Sequence, residues 1–128
     1  MVNCSKGDVV LFPYPFSDLT TQKVRPAVVV SEPGKKYFDV FIVPLTSKTE
    51  NLDNGEFILS RWGKAGLNVK TAVKRGCYLA DTDIIRKKVG SLEPCDIKRI
   101  ESALKIWLDP DRSGLKKYFS QRPQRSQR

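Results

Sequence analysis

The chain is 128 residues long, 40% hydrophobic and 29% charged, with a net charge of +9. That length fits one domain with a substantial core but not two, and no apolar run approaches the ~20 residues a membrane helix needs. It contains no histidine, which excludes a Ser-His-Asp triad, a Cys-His dyad and proton transfer by a His pair.

Residues 7–16, GDVVLFPYPF, predict a first strand. Val10, Phe12, Tyr14 and Phe16 share one face and Val9 and Leu11 the other. Pro13 and Pro15 cannot donate to a ladder, so its second half is an edge or a run-out into a loop. After the polar turn SDLTTQ, residues 24–31 predict a second strand, with the charged Lys23 and Arg25 and the rigid Pro26 ahead of the apolar run Ala27 to Val30. EPGKK at 32–36 reads as a turn. Residues 37–44, YFDVFIVP, predict a third strand, buried on both faces through Val40 to Val43.

A polar loop, LTSKTENLDNG, follows, then short strands at 56–60, 71–73 and 77–80, an irregular RWGKAGLN at 61–68, and weaker strand candidates at 84–85 and 89–92. One helix is clear. Pro94 suits a first helical position after Glu93, and Ile97, Ile100, Leu104, Trp107 and Leu108 fall on one face at spacings of 3 and 4. Asp109-Pro110 ends it. Short strands with turn signals followed by one amphipathic helix imply a mainly β fold, a small, strongly bent barrel with a C-terminal helix packed on it.

The expected organisation is one domain over residues 1–111 and a basic extension over 112–128. The extension holds six Lys/Arg and no acid, leaving +3 on the rest, and its end has no hydrophobic periodicity, which predicts disorder. A basic balance favours polyanions, and a solubilising tail accounts for the same charge. Cys4, Cys77 and Cys95 are odd in number and lack CxxC spacing, suggesting neither a disulfide framework nor a zinc site. MVNCSKGDVV has no signal-peptide core, so a cytoplasmic location is expected.

Two polar groups abut core strands: Arg25-Pro26 at the start of the second, and Pro44-Leu45-Thr46-Ser47 at the end of the third. If these strands pair antiparallel through EPGKK, a slip of a few residues or one bulge brings Arg25 and Thr46 together at one rim. A planar guanidinium with a hydroxyl could grip a phosphate and stabilise the pentacoordinate state of an RNA 2′-hydroxyl attack. RNA supplies that nucleophile itself, so no catalytic Ser, Cys or metal is required. The structural alternative is an Arg paired with an acid and a Thr closing a turn. Lys23, Lys48 and Lys74 could line a phosphate track or simply be solvated. Ser47 could assist Thr46 or cap the loop. Phe16, Tyr14 and Trp62 could stack on bases or pack in the core, and Gly7-Asp8 reads as the structural entry to strand one. The loops at 17–23 and 48–55 would select the RNA sequence.

Three blocks, KGDVVLFPYPF, KVRPAVVVS and VFIVPLTS, in this order and spacing, resemble the MazF/PemK family of toxins from type II toxin–antitoxin systems. The similarity runs more loosely through LNVKTAV and VGSLEPCDIKRIESALKIWL and covers most of residues 6–108. The resemblance implies an SH3-like (CcdB/MazF-like) barrel with a C-terminal helix, acting as a homodimer and opposed by a cognate antitoxin protein. It implies sequence-specific, metal-independent cleavage of single-stranded RNA, leaving 2′,3′-cyclic phosphate and 5′-hydroxyl ends, with no cofactor. The family's catalytic Arg and Thr fall on Arg25 and Thr46. Where some members carry an Arg and a nearby Asp as base and acid, this chain has Lys74 and Gly76. Two other readings remain: a non-catalytic nucleic-acid-binding barrel, and a CcdB-like gyrase-directed toxin, which the RPQRSQR terminus disfavours.

Overall fold

The computed structural model describes residues 3–13 and 23–109. Within them, seven strands precede one helix: β1 (Asp8–Pro13), β2 (Val24–Val29), β3 (Asp39–Thr46), β4 (Phe57–Ile58), β5 (Ala72–Val73), β6 (Tyr78–Asp81), β7 (Lys87–Ser91) and α1 (Pro94–Leu108). All pairings are antiparallel, in the order β4-β5-β3-β2-β1-β7, with β6 also on β3. The mainly β, SH3-like architecture with a C-terminal helix is therefore present, and among the described residues its ladder does not close into a ring. No described helix is long and apolar enough to cross a membrane.

Alternation along the three central strands sorts their buried apolar residues into two cores, but the burial expected through Val40 to Val43 fails at Phe41, which is 47% exposed. Val9, Val28, Val43 and Leu45 face α1 and meet Ile100 and Ala103, together with Phe57, Leu59, Val73 and Leu92. Val10, Phe12, Ala27, Val29, Val40 and Ile42 face the other way, onto Cys4, Ala80 and Ile85. Phe12 is wholly buried, a burial worth roughly 2–3 kcal/mol. Burial, and after it the nearby Asp8 carboxylate, push the Cys4 thiol up.

The strand candidate at 84–85 and the expected burial of Leu108 are not found, and Asp96, not singled out from the sequence, is buried. Residues 82–84 form a 3-10 turn, not a strand, because the Asp81 carboxylate accepts from the Asp83 amide and Ile85 N–H bonds back to Thr82. On α1, Leu108 is 73% exposed, lying past the end of the surface the sheet offers. Asp96, in the first turn, is instead fully buried. Its carboxylate accepts from the Ser60 and Arg61 amides, so it ties the chain after β4 to the start of the helix.

Gly7 and Asp8 serve the fold. Gly7 has φ +96 and lies against Ile97, and buried Asp8 accepts from the Ser5 amide and the Ser91 hydroxyl, with Lys88 3.4 Å away.

Candidate active site

The pairing of β2 with β3 sets Ala27 opposite Pro44, Val28 opposite Val43 and Val29 opposite Ile42. Carried two residues further, the same register places Arg25 opposite Thr46. The slip or bulge considered from the sequence is not needed, because the connecting turn is centred between Lys35 and Lys36 rather than on Gly34.

The β2–β3 ladder runs no further than Ala27 and Pro44. Pro26, whose backbone position faces β3, has no N–H to offer. Past that point β2 is held by β1, with Phe12 opposite Arg25 and Leu11 opposite Pro26. β3 is held by β5, with Thr46 opposite Ala72 and Leu45 opposite Val73. A cleft of about 320 Å³ opens between the two diverging ends. Arg25, Thr46, Ser47, Lys48 and Lys74 line it on the β2 and β3 side, and Leu67, Asn68 and Val69 complete the wall.

Arg25 is exposed and, among the described residues, makes no ion pair. The pairing with an acid that would have made it structural is not found there. Thr46 does close a turn: its hydroxyl accepts from the Lys48 amide at 3.1 Å. That bond uses an acceptor lone pair and leaves the hydroxyl proton for a ligand oxygen. Lys74 is placed by its backbone N–H, which donates to the Pro44 carbonyl at 2.9 Å.

The described lining carries three cations and no carboxylate. It therefore suits a phosphate and offers no hard-cation ligand set. No cysteine is among the described lining of the cleft.

Five of the sequence-derived site residues thus meet in one cleft: Arg25, Thr46, Ser47, Lys48 and Lys74. Lys23 is exposed at the entry to β2 and is not part of the lining. Phe16, Tyr14 and the 17–22 segment lie outside the described residues, as does the 112–128 extension. Trp62 packs partly buried against the helix-side core. The loop at 48–55 reaches the cleft only through Lys48; its far end is fastened to α1, where the Trp107 indole donates to the Asn54 carbonyl at 2.8 Å. The Leu67–Val69 wall was not singled out, because that irregular segment carries no periodic signal. Its cue is indirect: it leads into β5, which pairs with Thr46.

A bent antiparallel sheet, a helix over one face and a basic cleft at the diverging strand ends define an SH3-like fold. The sequence profile of the PemK-like, MazF-like toxins of type II toxin–antitoxin systems matches residues 5–108, and the chain belongs to that family. Solved structures agree on the fold. A MazE–MazF complex from Deinococcus radiodurans is 18% identical, with a TM-score of 0.65 over 84% of this chain and 97% of that one. An endoribonuclease from a mycobacterial species is 20% identical, TM-score 0.63, over 84% and 93%. A mycobacterial endoribonuclease bound to its cognate antitoxin is 20% identical, TM-score 0.62, over 82% and 94%. No match was found among curated proteins.

Proposed function

We propose that the protein is the toxin of a toxin–antitoxin pair and a sequence-specific, metal-independent endoribonuclease acting on single-stranded RNA. What carries this reading is a cleft whose described lining brings together Arg25, Thr46, Lys48 and Lys74 and holds no carboxylate. Family membership supports it, since solved relatives of this fold are named endoribonucleases.

In the proposed reaction the ribose 2′-oxygen attacks the adjacent phosphorus. The O2′–P bond forms, the P–O5′ bond breaks, and the products are a 2′,3′-cyclic phosphate and a 5′-hydroxyl. Arg25 offers a two-pronged donor to the non-bridging oxygens, and Thr46 adds a hydroxyl donor as charge builds in the pentacoordinate state. Ser47, Lys48 and Lys74 hold the flanking phosphates. A guanidinium remains protonated and is a poor proton acceptor, so water takes the 2′ proton and supplies one to the leaving 5′-oxygen.

Two partners complete the proposal. One is a cognate antitoxin, as in the mycobacterial and Deinococcus complexes, with an acidic segment that would cover the cleft. The other is a second copy of the chain. Phe41 and Leu79 are cross-strand partners, 47% and 57% exposed, with exposed Tyr37 and Phe38 in the preceding turn. Such a patch is covered in a homodimer.

The test is cleavage of a long mixed-sequence RNA in EDTA, with end mapping. Discrete cuts bearing 5′-hydroxyl ends, lost in Arg25→Ala, are expected. Intact RNA across many sequences would move the reading to a binding or gyrase-directed protein, and cleavage by Arg25→Ala at the wild-type rate would move the site.

A further inference from the structure

β5 ends at Val73, which pairs with Leu45 of β3 and Phe57 of β4, and the cleft residue Lys74 follows directly. The backbone carrying this cation is held by bonds outside the ladder. On one side the Lys74 N–H donates to the Pro44 carbonyl. On the other, the next amide along, that of Arg75, donates to the Glu56 carboxylate at 2.8 Å. The second oxygen of that carboxylate accepts from the Asp53 amide at 2.6 Å, and the Glu56 N–H returns to the Asp53 carbonyl at 2.9 Å. Asp53 belongs to the 48–55 loop, at whose other end Lys48 lines the cleft. This turn is anchored in its own right. Gly55, at φ +89, lies so close to α1 that a Cβ there would meet the Trp107 indole nitrogen at 2.4 Å, and that indole bonds the Asn54 carbonyl.

One carboxylate thus joins the two segments that bring Lys48 and Lys74 to the cleft. Both of its bonds are exposed, so water would satisfy the two amides in its absence. The bonds therefore add position rather than rescue buried donors, and a charged acceptor makes them stronger than neutral ones. Among the described residues Glu56 forms no ion pair with either lysine. It holds their backbone and leaves both ammonium groups for a ligand. Its negative charge, so near Lys74, works against phosphate binding.

We propose that Glu56 is a positioning residue for the phosphate track, clamping the Arg75 and Asp53 amides so that Lys74 and Lys48 are held where flanking phosphates pass. This rests on the single-stranded RNA reading above. Glu56 acts through the two lysines and does not touch the RNA.

Charge and clamp pull RNA affinity in opposite directions. Removing a carboxylate beside a phosphate track tightens binding when charge alone acts, and removing a clamp weakens it. Filter binding of a labelled single-stranded RNA to wild type, Glu56→Ala and Glu56→Gln reads the sign, at a temperature where urea unfolding shows each variant folded. Glu56→Ala should bind roughly threefold to tenfold more weakly, with the slope of log affinity against log salt lower by up to about 0.7. Glu56→Gln, which loses the charge but keeps one acceptor oxygen, should recover part of that loss. In a Lys48→Ala/Lys74→Ala background, Glu56→Ala should no longer weaken binding, because the side chains it positions are gone. Unchanged or tighter binding by Glu56→Ala, or the same weakening with both lysines removed, overturns the proposal. If wild type binds RNA and leaves it intact, the ribonuclease reading fails by itself and the affinities still decide the clamp. If wild type binds no RNA, inorganic tripolyphosphate replaces it as the probe: weaker binding by Glu56→Ala sustains the clamp, and equal, tighter or no binding overturns it.

Discussion

Arg25 and Thr46 line one cleft where β2 and β3 stop pairing, each held from its far side by another strand, Arg25 opposite Phe12 and Thr46 opposite Ala72. Pro26 withholds a ladder donor on the β3 side just where the ladder stops, and the cleft opens beyond it. Neither Arg25 nor Thr46 reaches this position through a flexible loop, so a charge appearing between them meets donors already in place. Arg25→Ala and Thr46→Ala should each lower the single-turnover cleavage rate, Arg25→Ala by about a hundredfold to a thousandfold. RNA affinity should fall far less, because ground-state contacts to flanking phosphates remain. Rapid-quench rates beside filter-binding affinities check this; a matched loss in both would make Arg25 a binding residue only.

Lys48 and Lys74 act at longer range, as point charges on the phosphate track. Removing one phosphate contact from a single-stranded site lowers the slope of log affinity against log salt by roughly 0.7. Lys74→Ala should flatten the slope by about that much and weaken all RNA sequences alike. Lys23→Ala, altering a residue outside the cleft lining, should leave the slope nearly unchanged. Affinities at four salt concentrations distinguish the two.

Much of this site was legible because it is built on strands. Period-two alternation gave the faces of Val9, Val10 and Phe12, and a short turn between two apolar runs forces antiparallel pairing, which brings the start of one run to the end of the next. The exact register was not legible, since it depends on where the 32–38 turn is centred. Asp96 was hidden for a different reason. A carboxylate in the first turn of a helix reads as a surface charge favourable to the helix dipole, and only the fold shows that it is capping a loop 35 residues earlier. Leu108 erred the opposite way: it continues the apolar periodicity of α1 beyond the sheet that the stripe faces.

Asp96 carries a quantifiable load. Its side chain is fully buried, and its loss would strand the Ser60 and Arg61 amides without their acceptor. Asp96→Ala should destabilise the fold by about 2–4 kcal/mol, and Asp96→Asn, which keeps one acceptor oxygen, by less. Urea unfolding followed by tryptophan fluorescence measures both. Equal stability of Asp96→Ala and wild type would show that these amides find other partners.

Gly66 and Gly90 form a reciprocal close contact. A Cβ on Gly66 meets the Val89 carbonyl oxygen, and a Cβ on Gly90 meets the Ala65 carbonyl oxygen at 2.1 Å. Backbone lies on both sides, so no side chain can swing away. Gly90→Ala, which adds no unfavourable φ, isolates the steric part and should cost about 2–4 kcal/mol. Gly66→Ala adds strain at φ +92 and should cost at least as much. Gly63, with nothing within 4 Å of its Cβ position, is the control, and Gly63→Ala should unfold within about 0.5 kcal/mol of wild type. Denaturant midpoints of the three variants rank them; a Gly90→Ala protein as stable as Gly63→Ala would mean β7 can move away from the 61–67 turn.

The apolar pair at Phe41 and Leu79 predicts an assembly rather than a stability effect. Both side chains are about half exposed on one chain, so replacing either with a charge costs little within a protomer. In a homodimer covering this patch, Phe41→Asp would bury an unpaired carboxylate at the contact, a penalty of several kcal/mol. Light scattering after size exclusion should give a dimer for wild type and a monomer for Phe41→Asp and for Leu79→Asp, with circular dichroism unchanged. Thermal midpoints add a second readout, because a dimer's midpoint rises with protein concentration and a monomer's does not. A wild-type midpoint independent of concentration, or a dimer that survives both substitutions, would place the contact elsewhere on the surface or remove it altogether.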